Sequence, residues 1–280
     1  VADTQQQDEL ALIRPEIRDW GAFFFWAQAE YWQVLPAEAA LFRGPLADWA
    51  FALRSRDQTC GFATAVPYAD FAWIGNLIIA PEKRGMGLGR HLFDQVCDKL
   101  RRSGIQSLWL TASEQGRPLY ASRGFRPCDR IERWQMFIPP LQHCSAPVLP
   151  TDLEHLYRMD RRVWGTDRRL ILQYLATGGR IIRTGNSIAL LQNYGSLKVL
   201  GPWLSREHSP REHAAVIRTA IRAAGGGTLH IDVLASTGAA ALLAECGFIR
   251  SGCGTLMVAC DGAACPPKQA VALASLGSLG

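Results

Sequence analysis

The sequence predicts an α/β chain: a mixed α+β sheet, built twice in tandem. Three observations carry that expectation. Residues 49–80 hold three strand-like runs separated by turn residues, and the last, "FAWIGNLIIA" at 71–80, is apolar almost throughout, as a strand buried on both faces must be. A glycine-rich stretch, "PEKRGMGLGR" at 81–90, joins that run to an amphipathic helical pattern. The first half also repeats: shifted by 123 residues without gaps, Gly104 falls on Gly227, Leu108 on Ile231, Leu110 on Val233, Gly124 on Gly247 and Phe125 on Phe248.

A short strand is expected at 11–14, followed by helices in "FFFWAQAEYW" and "PAEAALF". "WAFALR" at 49–54 and "TCGFATAV" at 59–66 read as strands, with "RDQT" and "PYAD" as their turns, and Pro81 ends the run at 71–80. Beyond Gly89 the period changes. Leu92, Phe93, Val96 and Leu100 share one helical face, and Gly104 closes that helix. "QSLWLTA" at 106–112 is a strand, "EQGRPLYASRG" a short helix, and "RIERWQMF" at 131–138 the final strand of the first module. Four prolines in 138–152 mark a linker, so the expected division is 1–138, a linker at 139–150, and a second module over 151–280. In that second module "LKVLGPWLSREH" takes the place of the central strand.

Composition excludes several classes. The 280 residues are 48% hydrophobic, enough for a core in each half, and hold no run of 18 apolar residues that would span a membrane. "VADTQQQDEL" is not a signal sequence, and the eight cysteines show neither CxxC nor zinc spacing, so reduced thiols, no metal and a cytoplasmic location are expected. The net charge of +5 comes almost wholly from arginine, without a basic stripe interleaved with aromatics. It suits a polyanionic small molecule better than nucleic acid. The expected partner is a small-molecule amine, and the expected assembly a monomer or homodimer.

The glycines at 85, 87 and 89 ask for a phosphate, held by main-chain N–H groups at a helix N-terminus. A Walker A loop fails because Gly-Arg-His stands where Gly-Lys-Ser belongs, and a dinucleotide fingerprint fails on both spacing and position, since the loop follows three strands. RxxGxG, carried by Arg84, Gly87 and Gly89, remains. "LIIAPEKRGMGLGRHL" and the downstream "PLYASRGF" at 118–125 together resemble the coenzyme A pyrophosphate loop and the "LY…GF" motif of the GNAT-superfamily N-acyltransferases. The tandem layout resembles the bacterial two-module members, in which a "WGTDR"-like segment, here Trp164 to Arg168, opens the second half, and "QAVALASLG" at 269–277 is similar to their terminal strand.

That resemblance implies an acetyltransferase that uses acetyl-CoA and acts by direct attack of a primary amine. The implied cofactor-binding residues are Leu77, Ile78 and Ile79 of the central strand, Arg84, Gly85, Met86, Gly87, Leu88, Gly89 and Arg90 of the loop, and Ser113. Tyr120 is the implied proton donor to the leaving sulfur. Glu30, Tyr31, Trp32, Asn76 and Trp164 are the candidate acceptor-binding residues. A base is missing: the position that carries glutamate in many members is Gly75 here. Deprotonating an alkyl amine of pKa near 10.4 at pH 7 costs roughly 4.6 kcal/mol, against about 1 for an α-amino group. A weakly basic, amino-acid-like amine is therefore the expected acceptor, unless water relays the proton to Glu30, Asp70 or Tyr68. The second half has no glycine between 201 and 225, and Leu243 stands where Tyr120 stands, so it reads as a degenerate copy. Two alternatives stay open: a non-catalytic acyl-CoA sensor, and an acyl or aminoacyl transferase with another donor.

Overall fold

The computed structural model describes residues 10–140, 150–260 and 266–280. The linker expected at 139–150 lies mostly outside them. In the first half the elements are β1 (Leu10–Ile13), α1 (Ile17–Ala29), α2 (Pro36–Arg43), β2 (Ala50–Ser55), β3 (Gln58–Pro67), β4 (Phe71–Ile79), α3 (Leu88–Arg102), β5 (Ser107–Ala112), α4 (Arg117–Ala121) and β6 (Arg126–Ile138). The second half repeats the order from α1 onward: α5 (Pro150–Trp164), α6 (Arg169–Leu175), β7 (Arg180–Thr184), β8 (Ser187–Tyr194), β9 (Leu197–Ser205), α7 (Pro210–Ala224), β10 (Gly227–Leu234), α8 (Ala239–Glu245) and β11 (Ile249–Ala259). A short β12 (Ala270–Ala272) follows. The expected elements are present, except that the strand expected at 269–277 shrinks to Ala270–Ala272, the chain beyond it leaving the sheet. The helix after the glycine loop begins two residues earlier than the sequence pattern implies, at Leu88, and β6 is five residues longer than expected at its start.

Among the described residues, twelve strands form one sheet, in the order β1-β2-β3-β4-β5-β11-β6-β10-β12-β9-β8-β7. The order holds an exchange. β6 does not close the sheet of its own half; it lies antiparallel between β11 and β10, while β11 lies against β5. Each half therefore lends its last strand to the other.

Alternation along the strands sorts the core. Phe71 and Trp73 of β4 face one side with Trp20, Phe23, Leu41, Trp164 and Leu172, so α1, α2, α5 and α6 share one apolar layer that runs across both halves. Ala72 and Ile74 face the other side, where Leu92, Phe93, Val96 and Leu100 of α3 cover the first half. Val216, Ile217 and Ala220 of α7 do the same for the second.

The alternation slips by one residue inside β4. Phe62 pairs with Ile78 and Thr64 with Gly75, so β4 carries one residue more than β3 between these pairs. Ile78 joins the layer of Phe71 and Trp73, whereas an unbroken strand would place it opposite. Asn76 takes up the extra residue at φ +53°, a conformation asparagine tolerates better than most side chains. β9 is bulged at the matching place, between Leu200 and Trp203.

Candidate active site

The site grows from that bulge. β4 and β5 run parallel and paired from Phe71 with Ser107 to Ile74 with Leu110, and no further. Past Ile74 the two strands part, which leaves the β5-facing edge of Leu77, Ile78 and Ile79 without a strand partner while β3 still holds Ile78 and Ile79 from the other side. Ser113 lies just beyond β5, and its Oγ accepts a hydrogen bond from Gly116 N–H at the start of α4.

At the end of β4 the chain makes a short 3-10 turn, Pro81–Lys83, and enters the glycine loop. Gly85 and Gly87 both sit at φ +80°, and an added Cβ at either would meet nothing within 4 Å. The glycines are needed for backbone conformation, and the loop is open to a ligand on that side. The first backbone bond of α3 is His91 N–H to the Gly87 carbonyl. Among the described residues, the N–H groups of Gly85, Met86, Gly87, Leu88, Gly89 and Arg90 find no backbone acceptor. These six amides, at the positive end of a helix of 15 residues, are donors that could hold an anion. A diphosphate fits this donor set, and the parted strand edge beside it suits a linear amide-bearing arm.

The loop arginines differ. Arg84 is engaged within the chain: its guanidinium meets Glu30 at 2.7 Å and donates to the Ile79 carbonyl at 3.2 Å. Glu30 is thereby occupied at the end of α1, at the loop rather than at an acceptor. Arg90 is exposed on the first turn of α3.

A cavity of about 230 Å³ opens where β4 and β5 part. Trp32, Asn76, Leu77, Ser113 and Tyr120 line it, so the structure brings these expected residues together. Trp164 lies elsewhere. It is buried against Phe71 and Trp73, with the Arg168 guanidinium 4.5 Å from its ring centre. The "WGTDR" segment belongs to the core because Arg168 is fully buried on Asp160, with bonds of 3.0 and 2.8 Å. Asp167 accepts the Arg169 N–H at the start of α6. Tyr31 is 89% exposed and outside the lining.

Tyr120 is buried among Phe93 and Phe125, with ring centres 5.0 and 6.3 Å away. Burial pushes its phenol up to about 12, with the Cys97 thiol adding a little. Its hydroxyl makes no hydrogen bond among the described residues and lies about where Ser113 and Gly116 meet, 3.6 Å from a Cβ built on Gly116.

Two features of the cavity are missing from the sequence reading. The first is Glu38 of α2, 3% exposed, whose carboxylate accepts a hydrogen bond from the Asn76 side-chain amide; that amide also donates to Thr64 Oγ1 at 3.0 Å. Burial raises the Glu38 acid above its ordinary value, against the hydrogen bonds of Asn76, Ser278 and the Leu35 backbone. Charge on an otherwise apolar helix ("PAEAALF") is the signal that marked it. The second is the segment after β12. Leu276, Gly277 and Ser278 line the cavity, the Trp73 indole N–H donates to the Gly277 carbonyl at 3.0 Å, and the Tyr68 hydroxyl donates to the Leu279 carbonyl at 2.6 Å. A Cβ on Gly75 would lie 2.8 Å from Ser278 Cα. The space of the absent glutamate is thus filled by this segment. Tyr68 is spoken for, its phenol pushed up to about 12 by burial, and neither Glu30 nor Asp70 lines the cavity.

The second half differs at the corresponding place. β9 and β10 run parallel only over Leu197–Val199 and Thr228–His230. Where they part, β12 enters, antiparallel to both. Gln192 Nε2 donates to the carbonyls of Gly201 and Ala274 at 2.6 and 2.7 Å, and a Cβ on Gly201 would collide with the Leu273 carbonyl.

A mixed sheet whose bulged central strand parts from its parallel neighbour, beside a glycine-rich helix N-terminus, is the GNAT fold, here in two tandem modules. Residues 13–125 match the model of the Acetyltransferase (GNAT) family. Among curated proteins, ribosomal protein bS18-alanine N-acetyltransferase of Haemophilus influenzae is 34% identical over 79 residues, 28% of this chain and 54% of that protein. Its Escherichia coli counterpart is 31% identical over 78 residues, 27% and 53% of the two chains. The chain thus spans about half the length of the curated relatives it matches. Among solved structures, a candidate acetyltransferase of Pyrococcus horikoshii superposes with a TM-score of 0.76 at 19% identity, over 96% of this chain and 95% of the other. A tandem GNAT protein from the clavulanic acid biosynthesis pathway superposes at 0.56 with 12% identity, over 91% and 100%. Among the described residues no helix is long and apolar enough to cross a membrane, and no group of metal-ligating side chains gathers.

Proposed function

We propose that this protein is an N-acetyltransferase that moves an acetyl group from acetyl-CoA to a primary amine of a small, amino-acid-like molecule by direct attack. The observation that carries this reading is the run of six unused amides from Gly85 to Arg90, next to a cavity holding Tyr120. When bound, acetyl-CoA supplies an activated thioester; the rest of the work falls to the chain. The amides of Gly85–Arg90 hold the diphosphate, with Arg90 beside it, and the edge of Leu77, Ile78 and Ile79 that has no strand partner orders the arm that follows, although Arg84 already occupies the Ile79 carbonyl. Ser113 fixes the start of α4 and hence the height of Tyr120.

Tyr120 keeps its proton at any physiological pH. Full transfer to a thiolate of ordinary pKa near 8.5 is uphill by roughly 5 kcal/mol from a phenol near 12. The hydroxyl therefore donates a hydrogen bond to the departing sulfur and gives up its proton only as charge builds there.

The acceptor enters past Trp32 and Asn76. An α-amino group or a similarly weak base remains the preferred acceptor, because Gly75 leaves the central strand without a carboxylate at the expected place. The relatives named for acetylating an alanine of a ribosomal protein support an α-amine. We assign the cofactor to the first half alone. The second half lacks the loop, has Leu243 in place of Tyr120, and carries β12 in the gap where its strands part. The buried Cys60 and Cys97 thiols fit the reducing cytoplasm.

The test is thiol release from acetyl-CoA with panels of amino acids, peptides, polyamines and aminoglycosides. Acetylation of α-amines is expected. Tight acetyl-CoA binding without turnover on any amine would instead make the protein an acyl-CoA sensor.

A further inference from the structure

We infer that Glu38 takes the proton from the acceptor amine, held for that task by Asn76 of the bulged strand and by Ser278 of the C-terminal segment. This role rests on the acyl-transfer reading above. Two carboxylates line the cavity, Glu38 and Asp232. Asp232 is committed: Arg133 grips it with two bonds of 2.7 and 2.6 Å. Glu38 has no cationic partner among the described residues, although it is 3% exposed. An acid so placed is costly to keep unless it has a use or a proton. Its neighbours are neutral donors on three separate elements: Asn76 on β4, Ser278 on the tail and the Leu35 backbone at the start of α2. Tyr194 on β8 is the titratable group that senses its charge, and that phenol is itself pushed up, first by burial and then by Glu38. Burial also raises Glu38, so the group binds a proton more readily than an ordinary glutamate.

The placement fits the reaction. Asn76 is the bulge residue at which the strands part, and its amide touches Glu38, so the carboxylate stands beside the point where the thioester carbonyl would be held. The acceptor arrives as an ammonium ion and gives one proton to Glu38. The freed lone pair forms the N–C bond, the C–S bond breaks, and the second nitrogen proton passes to the departing sulfur by way of the Tyr120 hydroxyl. One ammonium, one thioester and one carboxylate become one amide, one thiol and one carboxylic acid, which returns its proton to solvent as the product leaves. An α-ammonium of pKa near 7.8 gives up its proton about 400-fold more readily than a lysine-like one near 10.4, so the acceptor preference is kept.

The test is Glu38→Gln in the full chain. At pH 7 its kcat/KM is expected to fall about a hundredfold, with acetyl-CoA affinity and thermal stability unchanged. The deficit should shrink as pH rises toward the pKa of the amine, and shrink further with acceptors of lower amine pKa, because free amine then needs no base. A deficit constant with pH, or under about threefold, overturns the role. A readout without turnover is the carboxyl carbon-13 resonance of Glu38, assigned by its loss in Glu38→Gln; it should titrate above the ordinary glutamate range and move when the amine binds. Titration in the ordinary range overturns the assignment. If Glu38→Gln does not fold, Asn76→Asp should shift the acidic limb of the wild-type rate profile to higher pH by placing a like charge beside Glu38, and an unmoved limb is fatal. A wild-type enzyme silent on every amine removes the acyl-transfer reading and this role together. An active enzyme whose Glu38→Gln variant keeps rate and profile removes only the role of Glu38.

Discussion

Burial pushes the Tyr120 phenol up to about 12, and under the proposed acyl transfer this suits a hydrogen-bond donor to the leaving sulfur better than an acid for full transfer. Tyr120→Phe should therefore lower kcat by about a hundredfold and leave the dissociation constant of acetyl-CoA within twofold, as read by single-turnover kinetics and calorimetry. Gly75 makes the opposite point, since its value lies in having no side chain. Gly75→Ala would press a methyl group against Ser278, 2.8 Å from its Cα, and should cost about 1–3 kcal/mol of stability in denaturant unfolding while it displaces the segment that completes the cavity. That Tyr120 lies on a short helix was legible in the sequence, because a local motif holds it. The neighbour of Gly75 was not, because Ser278 is some two hundred residues away along the chain and no spacing rule connects them.

At the scale of elements, the glycine loop and α3 act as one device. Gly87→Ala should cost about 1 kcal/mol, from the left-handed backbone at φ +80° and not from a clash, and should weaken acetyl-CoA binding about tenfold by disordering the amide cradle, a change that calorimetry would register. On the other module, α7 buries His213 under Trp203, ring centres 4.8 Å apart, with His208 5.5 Å away and Glu212 beside it. Burial, helped by His208, pulls the imidazole down to about 4, so the folded chain binds fewer protons there than the unfolded chain between pH 4 and 6.5. Stability should be lost as pH falls through that window, by about 2–3 kcal/mol, and His213→Gln should flatten the loss in urea titrations at pH 7 and pH 4.5. The helices and strands themselves were readable because periodicity of 3.6 and of 2 is written locally. The bulge of β4 was hidden, because one extra residue in a nearly all-apolar run leaves no mark on the pattern.

At the scale of the molecule, the exchange of β6 and β11 ties the halves into one sheet. Arg133 of β6, Asp232 of β10 and the Leu276 carbonyl of the tail meet at a single ion pair of 2.6 Å, which joins the exchanged strand, the second half and the cavity wall. Asp232→Asn should cost about 3–5 kcal/mol, because it leaves the half-buried Arg133 guanidinium without its counter-charge, and it should raise the KM for the acceptor by loosening the tail. The whole chain should melt in one transition by calorimetry. Residues 1–138 expressed alone should fail to give a stable monomer, since β5 would lose β11 and β6 would lose both of its neighbours.

The helices and strands, the glycine-rich turn into α3 and the place of Tyr120 on α4 could be read from the chain, since each is encoded by residues within a turn or two of one another. Which strand closes which half, the burial of Trp164 and Arg168 in the core, and the walling of the cavity by Glu38 and the tail beyond β12 emerge only once the chain is folded. Those outcomes depend on pairings between residues far apart in the chain, which are settled by burial and backbone hydrogen bonding once the sheet forms and leave no trace in local spacing.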